Sequence, residues 1–248
     1  MLNHRRFSSS LTVAVAALIL ASLPVASLAA GSSAKHPKRS NEERVLSPVN
    51  LAILIQDDLV SHVSNELERT REFILSLPQG SQVMVAYISS GSLRVRQPFT
   101  TDLPKAAGSL RVLISSTSAS PFNPYVEVLE ALRKFQPEGK DRNILLLISD
   151  GLDSSRGFDP SSVLNSIDMQ RAITEAKRRD VSIYCFYAPS VGLTSRSSLA
   201  ASYGQSSLGK ISRETGGQAF FQGITDFVTF DPYFERFTRA LNRVEAVE

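Results

Sequence analysis

Three carboxylates stand where an α/β protein does its chemistry. Leu51–Ile55 (LAILI) is followed by Gln56-Asp57-Asp58, and Ile144–Ile148 (ILLLI) by Ser149-Asp150-Gly151. Short, unbroken apolar runs of this kind read as strands buried on both faces, hence central strands of a largely parallel sheet. In open α/β sheets the ligand crevice lies outside the C-terminal strand ends, where these carboxylates fall. A hard divalent cation takes oxygen ligands and keeps several waters. Asp57, Ser61, a hydroxyl from the loop Ser115–Pro124 (SSTSASPFNP) and Asp150 are ligands of that type from three loops. The plainer alternative makes the aspartates turn-formers and helix caps. A metal-dependent hydrolase using Asp57, Asp58 and Asp150 is a further alternative, weakened by the lack of His ligands and of a base-nucleophile pair.

The elements that must position these residues alternate. The strands are Leu51–Ile55, Gln82–Ser89, Leu93–Pro98, Ile144–Ile148, Val181–Tyr187 and Gln218–Phe221. In Leu93–Pro98, Leu93 and Val95 alternate with Arg94 and Arg96, the pattern of a half-exposed edge strand closing a hairpin. Helical spacing joins Val60, Val63, Leu67, Ile74 and Leu77, and Pro78-Gln79-Gly80 stops that helix. Further helices are expected over Leu103–Leu113 (capped by Thr101 or Asp102), Val126–Phe135, Asp168–Arg179, Leu199–Glu214 and Pro232–Val244. The expected fold is α/β: a doubly wound, mostly parallel six-stranded sheet, order 3-2-1-4-5-6, with one antiparallel edge strand and helices on both faces.

The N-terminus reads differently. Arg5-Arg6, the apolar run Leu11–Leu23 and Ser27-Leu28-Ala29 have the form of a cleavable export signal over residues 1–29. Its apolar core is short for a membrane span, and no later segment is longer. Residues 30–45 are polar and aperiodic, a flexible leader, and 46–248 form one domain. The expected product is exported, periplasmic or extracellular, without a transmembrane segment after cleavage. The 248-residue chain has 27 basic and 24 acidic residues. Loss of Arg5 and Arg6 leaves a net charge of +1, no basis for a nucleic-acid partner. Cys185 is alone and lies in an apolar run, so it reads as a buried core thiol. No G-x-S-x-G, G-x-G-x-x-G or Walker A motif is present. A phosphoacceptor reading of Asp57-Asp58 needs a third Asp and a Lys at neighbouring strand ends and a cytosolic phosphodonor that an exported protein would not meet, and a dehalogenase-type motif would need Asp where Leu59 stands.

In its order of elements, its Asp57-to-Ser61 segment, its Asp150-Gly151 and its Leu208–Phe221 (LGKISRETGGQAFF), the chain from Val49 to Val244 resembles the von Willebrand factor type A domain family. The resemblance implies a protein-binding module, not an enzyme, that captures a partner at the C-terminal sheet edge. In the family a metal ion, usually Mg²⁺, held by D-x-S-x-S, a middle-loop Thr and Asp-Gly, bridges to an acidic partner residue. Matched residue by residue, Asp57 is the first Asp, Ser61 the last Ser and Asp150 the Asp of Asp-Gly. Ser120 fits the middle-loop position best, with Thr117 or Asn123 as stand-ins. Leu59 replaces the middle Ser, so one hydroxyl ligand is lost. The expected site is therefore a degenerate Mg²⁺ position at Asp57, Ser61, Ser120 and Asp150, with Asp58, Phe122, Asn123 and Asp153 contacting a protein partner. Phe122 and Tyr125 have a second reading as the first core contacts of the Val126–Phe135 helix.

Overall fold

The computed structural model describes residues 47–136, 142–157, 166–223 and 227–244. The expected export signal and leader, residues 1–45, lie outside the described residues. β1 (Val49–Gln56) is central, parallel to β2 (Gln82–Ser89) on one side and to β4 (Arg142–Ser149) on the other. β3 (Ser92–Thr100) closes one edge antiparallel to β2. β5 (Val181–Tyr187) and the two-residue β6 (Ala219–Phe220) extend the other side in parallel. The described strands thus form one sheet, order β3-β2-β1-β4-β5-β6, as expected.

The period of two along each strand sorts the core into two layers. Leu51, Ile53 and Ile55 of β1, with Ile144, Leu146 and Ile148 of β4, face α1 (Val63–Leu75), α2 (Leu103–Gly108) and α6 (Asp231–Val244). Ala52 and Leu54, with Leu145 and Leu147, face α3 (Pro124–Leu132), α4 (Ile167–Arg178) and α5 (Ser198–Glu214). Phe186 anchors the first layer, with the rings of Phe220, Phe230, Tyr233, Phe234 and Phe237 within 5.9 Å of its own. No helix among the described residues is long and apolar enough to cross a membrane.

Some elements end earlier than their spacing suggests: β6 spans two residues of the expected Gln218–Phe221, α3 stops at Leu132 instead of Phe135, and α2 departs most. α2 is capped by Asp102, as expected, but ends at Gly108 instead of running to Leu113. Beyond it the Tyr87 hydroxyl donates to the Arg111 carbonyl and accepts from the Arg111 amide, which engages the backbone groups a continuing helix would use. Leu110 and Leu113 stay buried without helix, and Arg111 is aimed at the end of β1.

Candidate functional site

Asp57 and Asp58 are both buried, at 0 % and 2 % exposure, yet they belong to different environments. The Asp57 amide still donates to Ile88 of β2. Its carboxylate receives both terminal nitrogens of Arg111, at 2.9 and 2.7 Å, and the Ile114 amide at 3.0 Å. Burial alone raises an Asp57 carboxyl, but hydrogen bonds from Arg111, Ile114 and Ser89, with the Arg111 charge, outweigh it and hold the group below its ordinary value. The Arg111 guanidinium lies over the Tyr87 ring, 4.1 Å from its centroid. Asp57 is thus saturated by a fixed internal cation.

Asp58 instead lines a crevice of about 170 Å³ at the strand ends, shared with Gln56, Thr117, Ser120, Phe122, Asp150, Ser190 and Leu193. Gln56 ties the two aspartates together, one through its carboxylate and the other through its main chain. Its Nε2 donates to Asp58 Oδ1 at 2.7 Å, and its Oε1 accepts from Ser149 Oγ and from the Asp150 amide. Asp150 Oδ1 accepts from the Leu152 amide and Oδ2 from Thr194 Oγ1, each at 3.1 Å. The backbone is held as tightly. Val191 N–H donates to the Asp58 carbonyl and Val60 N–H to the Pro189 carbonyl, a small antiparallel bridge joining Leu59 to Ser190. Behind Asp150, α5 approaches so closely that a Cβ on Gly204 would stand 2.0 Å from the Asp150 carbonyl oxygen. Gly151 takes the positive φ that lets the chain turn away there.

Burial and the charge of Asp150 push Asp58 up to about 7. Burial also raises Asp150, against hydrogen bonds from Ser190, the Leu152 amide, Gln56 and Thr194. Two desolvated carboxylates in one crevice do not both ionise without a compensating charge, so the pair takes up a proton or a cation.

The expected site residues therefore divide. Asp150 and Ser120 are in the crevice, and the Ser120 hydroxyl bonds to Asp58. Asp57 is not, because strand alternation turns it to the α1/α2 side, where Arg111 waits. Ser61 is exposed at the head of α1 and does not line the crevice. Leu59 is fully buried in the core. Asn123, expected to touch a partner, is the N-cap of α3: its Oδ1 accepts from the Tyr125 amide and its Nδ2 donates to Asp168. Asp153 is tied into its own loop by Ser155 and Ser166. Of the two aromatics, Tyr125 is buried and donates to the Gly151 carbonyl, whereas Phe122 is 61 % exposed at the crevice rim. Gln56, Ser190 and Thr194 carry no motif. Gln56 alone was open to inference, as a polar residue ending an otherwise apolar strand.

A divalent ion of the type implied by the resemblance needs about six oxygens around it. The residue matched to the family's first carboxylate is ion-paired to Arg111, its middle hydroxyl is a core leucine, and its last hydroxyl lies outside the crevice. No group of three or more His, Cys, Asp or Glu side chains among the described residues is placed to hold a metal. The four matched residues do not converge on one point and so do not fit that ion as a set; the oxygens that do converge are those of Asp58, Asp150, Thr117, Ser120 and Ser190 in the crevice.

Among solved structures, the conserved hypothetical protein BatB from Bacteroides thetaiotaomicron aligns with a TM-score of 0.54 at 10 % identity, over 80 % of this chain and 99 % of that one. An aerotolerance-related membrane protein from Bacteroides fragilis NCTC 9343, carrying multiple mutations to serines, aligns with a TM-score of 0.50 at 12 % identity, over 79 % and 99 %. The SpRpn10 VWA domain aligns with a TM-score of 0.46 at 11 % identity, over 74 % and 100 %. No family model and no curated protein matches the sequence. The likeness is one of fold: the chain has the von Willebrand factor type A fold.

Proposed function

We propose that this chain is an exported, non-catalytic binding module that engages a protein partner at the C-terminal edge of its sheet. The observation that carries the reading is Phe122. It holds a left-handed backbone (φ +57°), which a bulky side chain rarely adopts, and its ring stands in solvent beside a buried polar crevice. Strain of this kind persists only where its surroundings enforce it, and it clusters at binding sites. Here the Ser154 amide donates to the Phe122 carbonyl at 2.6 Å and holds the turn. Leu193, 42 % exposed, rims the same crevice. An aromatic anchor beside desolvated polar groups is the usual centre of a protein interface.

The hydrolase reading loses one of its three carboxylates to Arg111, and no histidine, lysine or arginine among the described residues lines the crevice. The test is capture of a partner on the immobilised mature chain from the envelope and culture fluid of its own organism, with and without chelator. A bait carrying Phe122→Ser and Leu193→Ser is expected to lose the partner. One carrying Leu75→Ser, an exposed leucine at the other end of α1, is expected to keep it. Equal capture by all three baits would move the interface elsewhere.

A further inference from the structure

Asp57 and the Asp58–Asp150 pair differ in one respect that bears on what the crevice binds. The fold supplies Asp57 with a cation of its own, Arg111. It supplies the pair with none: the described lining of the crevice is hydroxyls, one amide, two carboxylates, and the apolar surfaces of Pro121, Phe122, Leu152 and Leu193. Burying two acids without a basic partner costs stability, and a cation arriving from outside recovers it.

The disposition of the acceptors indicates which cation. Asp58 Oδ1 is occupied by Gln56, Asp150 Oδ1 by the Leu152 amide and Asp150 Oδ2 by Thr194. Each carboxylate already accepts from protein donors, so the acceptor positions that remain are spread over both residues and the hydroxyls around them, not paired on one carboxylate as suits the planar fork of a guanidinium. An ammonium is a compact charge with three donors that can be shared among oxygens of different residues. Asp58, Asp150 and the hydroxyls of Thr117, Ser120 and Ser190 supply such oxygens. The apolar rim suits a methylene stem, which packs on hydrocarbon while its head seeks charge.

We propose that the crevice takes a lysine side chain of a protein partner, its ammonium between Asp58 and Asp150 and its stem against Phe122 and Leu193, with no metal ion between them. This rests on the reading of the same edge as a protein-binding face, and it reverses the chemistry implied by the resemblance, in which a metal ion captures an acidic residue.

The experiment is an amide NMR titration of the mature chain, in chelator, with three capped pentapeptides of Gly-Gly-X-Gly-Gly form in which X is Lys, Arg or Glu. The Lys peptide is expected to shift the Asp150, Leu152 and Val191 amides saturably, in the millimolar range. Asp58→Asn and Asp150→Asn, which preserve shape, are each expected to weaken it at least tenfold. Binding of the Glu peptide on addition of Mg²⁺ would overturn the proposal in favour of a metal bridge. Equal shifts from Arg and Lys would overturn it in favour of unspecific charge attraction. If no peptide shifts these amides, the lysine assignment fails. The binding-face reading then stands or falls separately on the capture experiment with Phe122→Ser and Leu193→Ser. Should an Asn variant fail to fold, the comparison of the three peptides on the unaltered chain still decides.

Discussion

Asp57 and Asp58 are neighbours in the chain, identical in type and almost equally buried, and they have opposite surroundings. Asp57 faces the α1/α2 side, where a guanidinium, a backbone amide and a serine complete its hydrogen bonding. Asp58 faces a second carboxylate, with an amide and a hydroxyl for company and no cation. One residue of displacement at a strand end decides between them, because side chains alternate across the sheet. The difference teaches that burial and residue type do not distinguish an acid whose charge the fold neutralises from one whose charge it leaves open. The distinguishing fact is whether the fold itself supplies the counter-charge.

The sharpest way to break the comparison is to remove that counter-charge. Arg111→Ala leaves a buried carboxylate unpaired, and about 3–5 kcal/mol of stability should be lost in denaturant unfolding. Replacing both partners, Asp57→Asn with Arg111→Met, should restore most of it, since no buried charge remains. If Arg111→Ala is nearly silent, Asp57 is not held by this pair. Leu59→Ser comes next. It regains the D-x-S-x-S spelling, but in this fold it trades a buried core leucine for a hydroxyl, so about 2–5 kcal/mol should be lost. Calorimetric titration with Mg²⁺ should show no binding gained. Tight Mg²⁺ binding by this variant would mean that the loop retains the ligand geometry of the family.

The two acids also predict opposite responses to pH. Asp58 keeps its proton to about 7, while its ordinary value is 3.8. Between those values the folded state binds more protons than the unfolded one, so stability falls as pH rises from about 4 to 7 and this contribution is flat above that. Asp150, also raised, acts in the same direction. Asp57 is lowered, so its contribution is full above 3.8 and is lost as pH falls through its depressed folded value. Asp58→Asn should therefore flatten the decline toward neutral pH and raise the melting temperature at pH 7, leaving the acid limb unchanged. A melting curve in which Asp58→Asn alters only the acid limb would reverse the assignment of the two residues.

Much of the scaffold was legible because the strands are apolar on both faces. Runs such as Ile144–Ile148 and Val181–Tyr187 have no other comfortable place than the middle of a covered sheet. The end of α2 was not legible. Its apolar spacing continues to Leu113, and the interruption comes from Tyr87, whose hydroxyl engages the Arg111 backbone from another strand. The partition of Asp57 from Asp58 was hidden for a similar reason, since Arg111 lies 54 residues downstream and no local pattern couples them. Position 56 did carry a hint. A glutamine on the same side of β1 as Leu54 marks where apolar packing gives way to a polar crevice, and Asp58 follows it by two residues. Thr194, by contrast, sits in a loop with nothing to single it out.

The smallest expected change in stability is at the rim of the Asp58 crevice. Were Phe122 a core residue, Phe122→Ala would cost about 3–5 kcal/mol, as a buried aromatic does. Its ring is 61 % exposed, and the helix it precedes is anchored by Tyr125 instead, which is wholly buried. Truncation should therefore change stability by about 0.5 kcal/mol or less, the ordinary range for a surface site. Phe122→Gly should be no worse and should gain slightly, because glycine accepts the left-handed backbone without strain. Against the captured partner, the same Phe122→Ala should weaken binding by about 1–3 kcal/mol. These paired measurements separate the two sides of β1 once more. Arg111→Ala should lose stability, with any loss of binding following from unfolding. Phe122→Ala should lose binding on a fold that melts where it did before. If it melts several degrees lower instead, the ring is packing against the protein, and the anchor must be sought at Leu193.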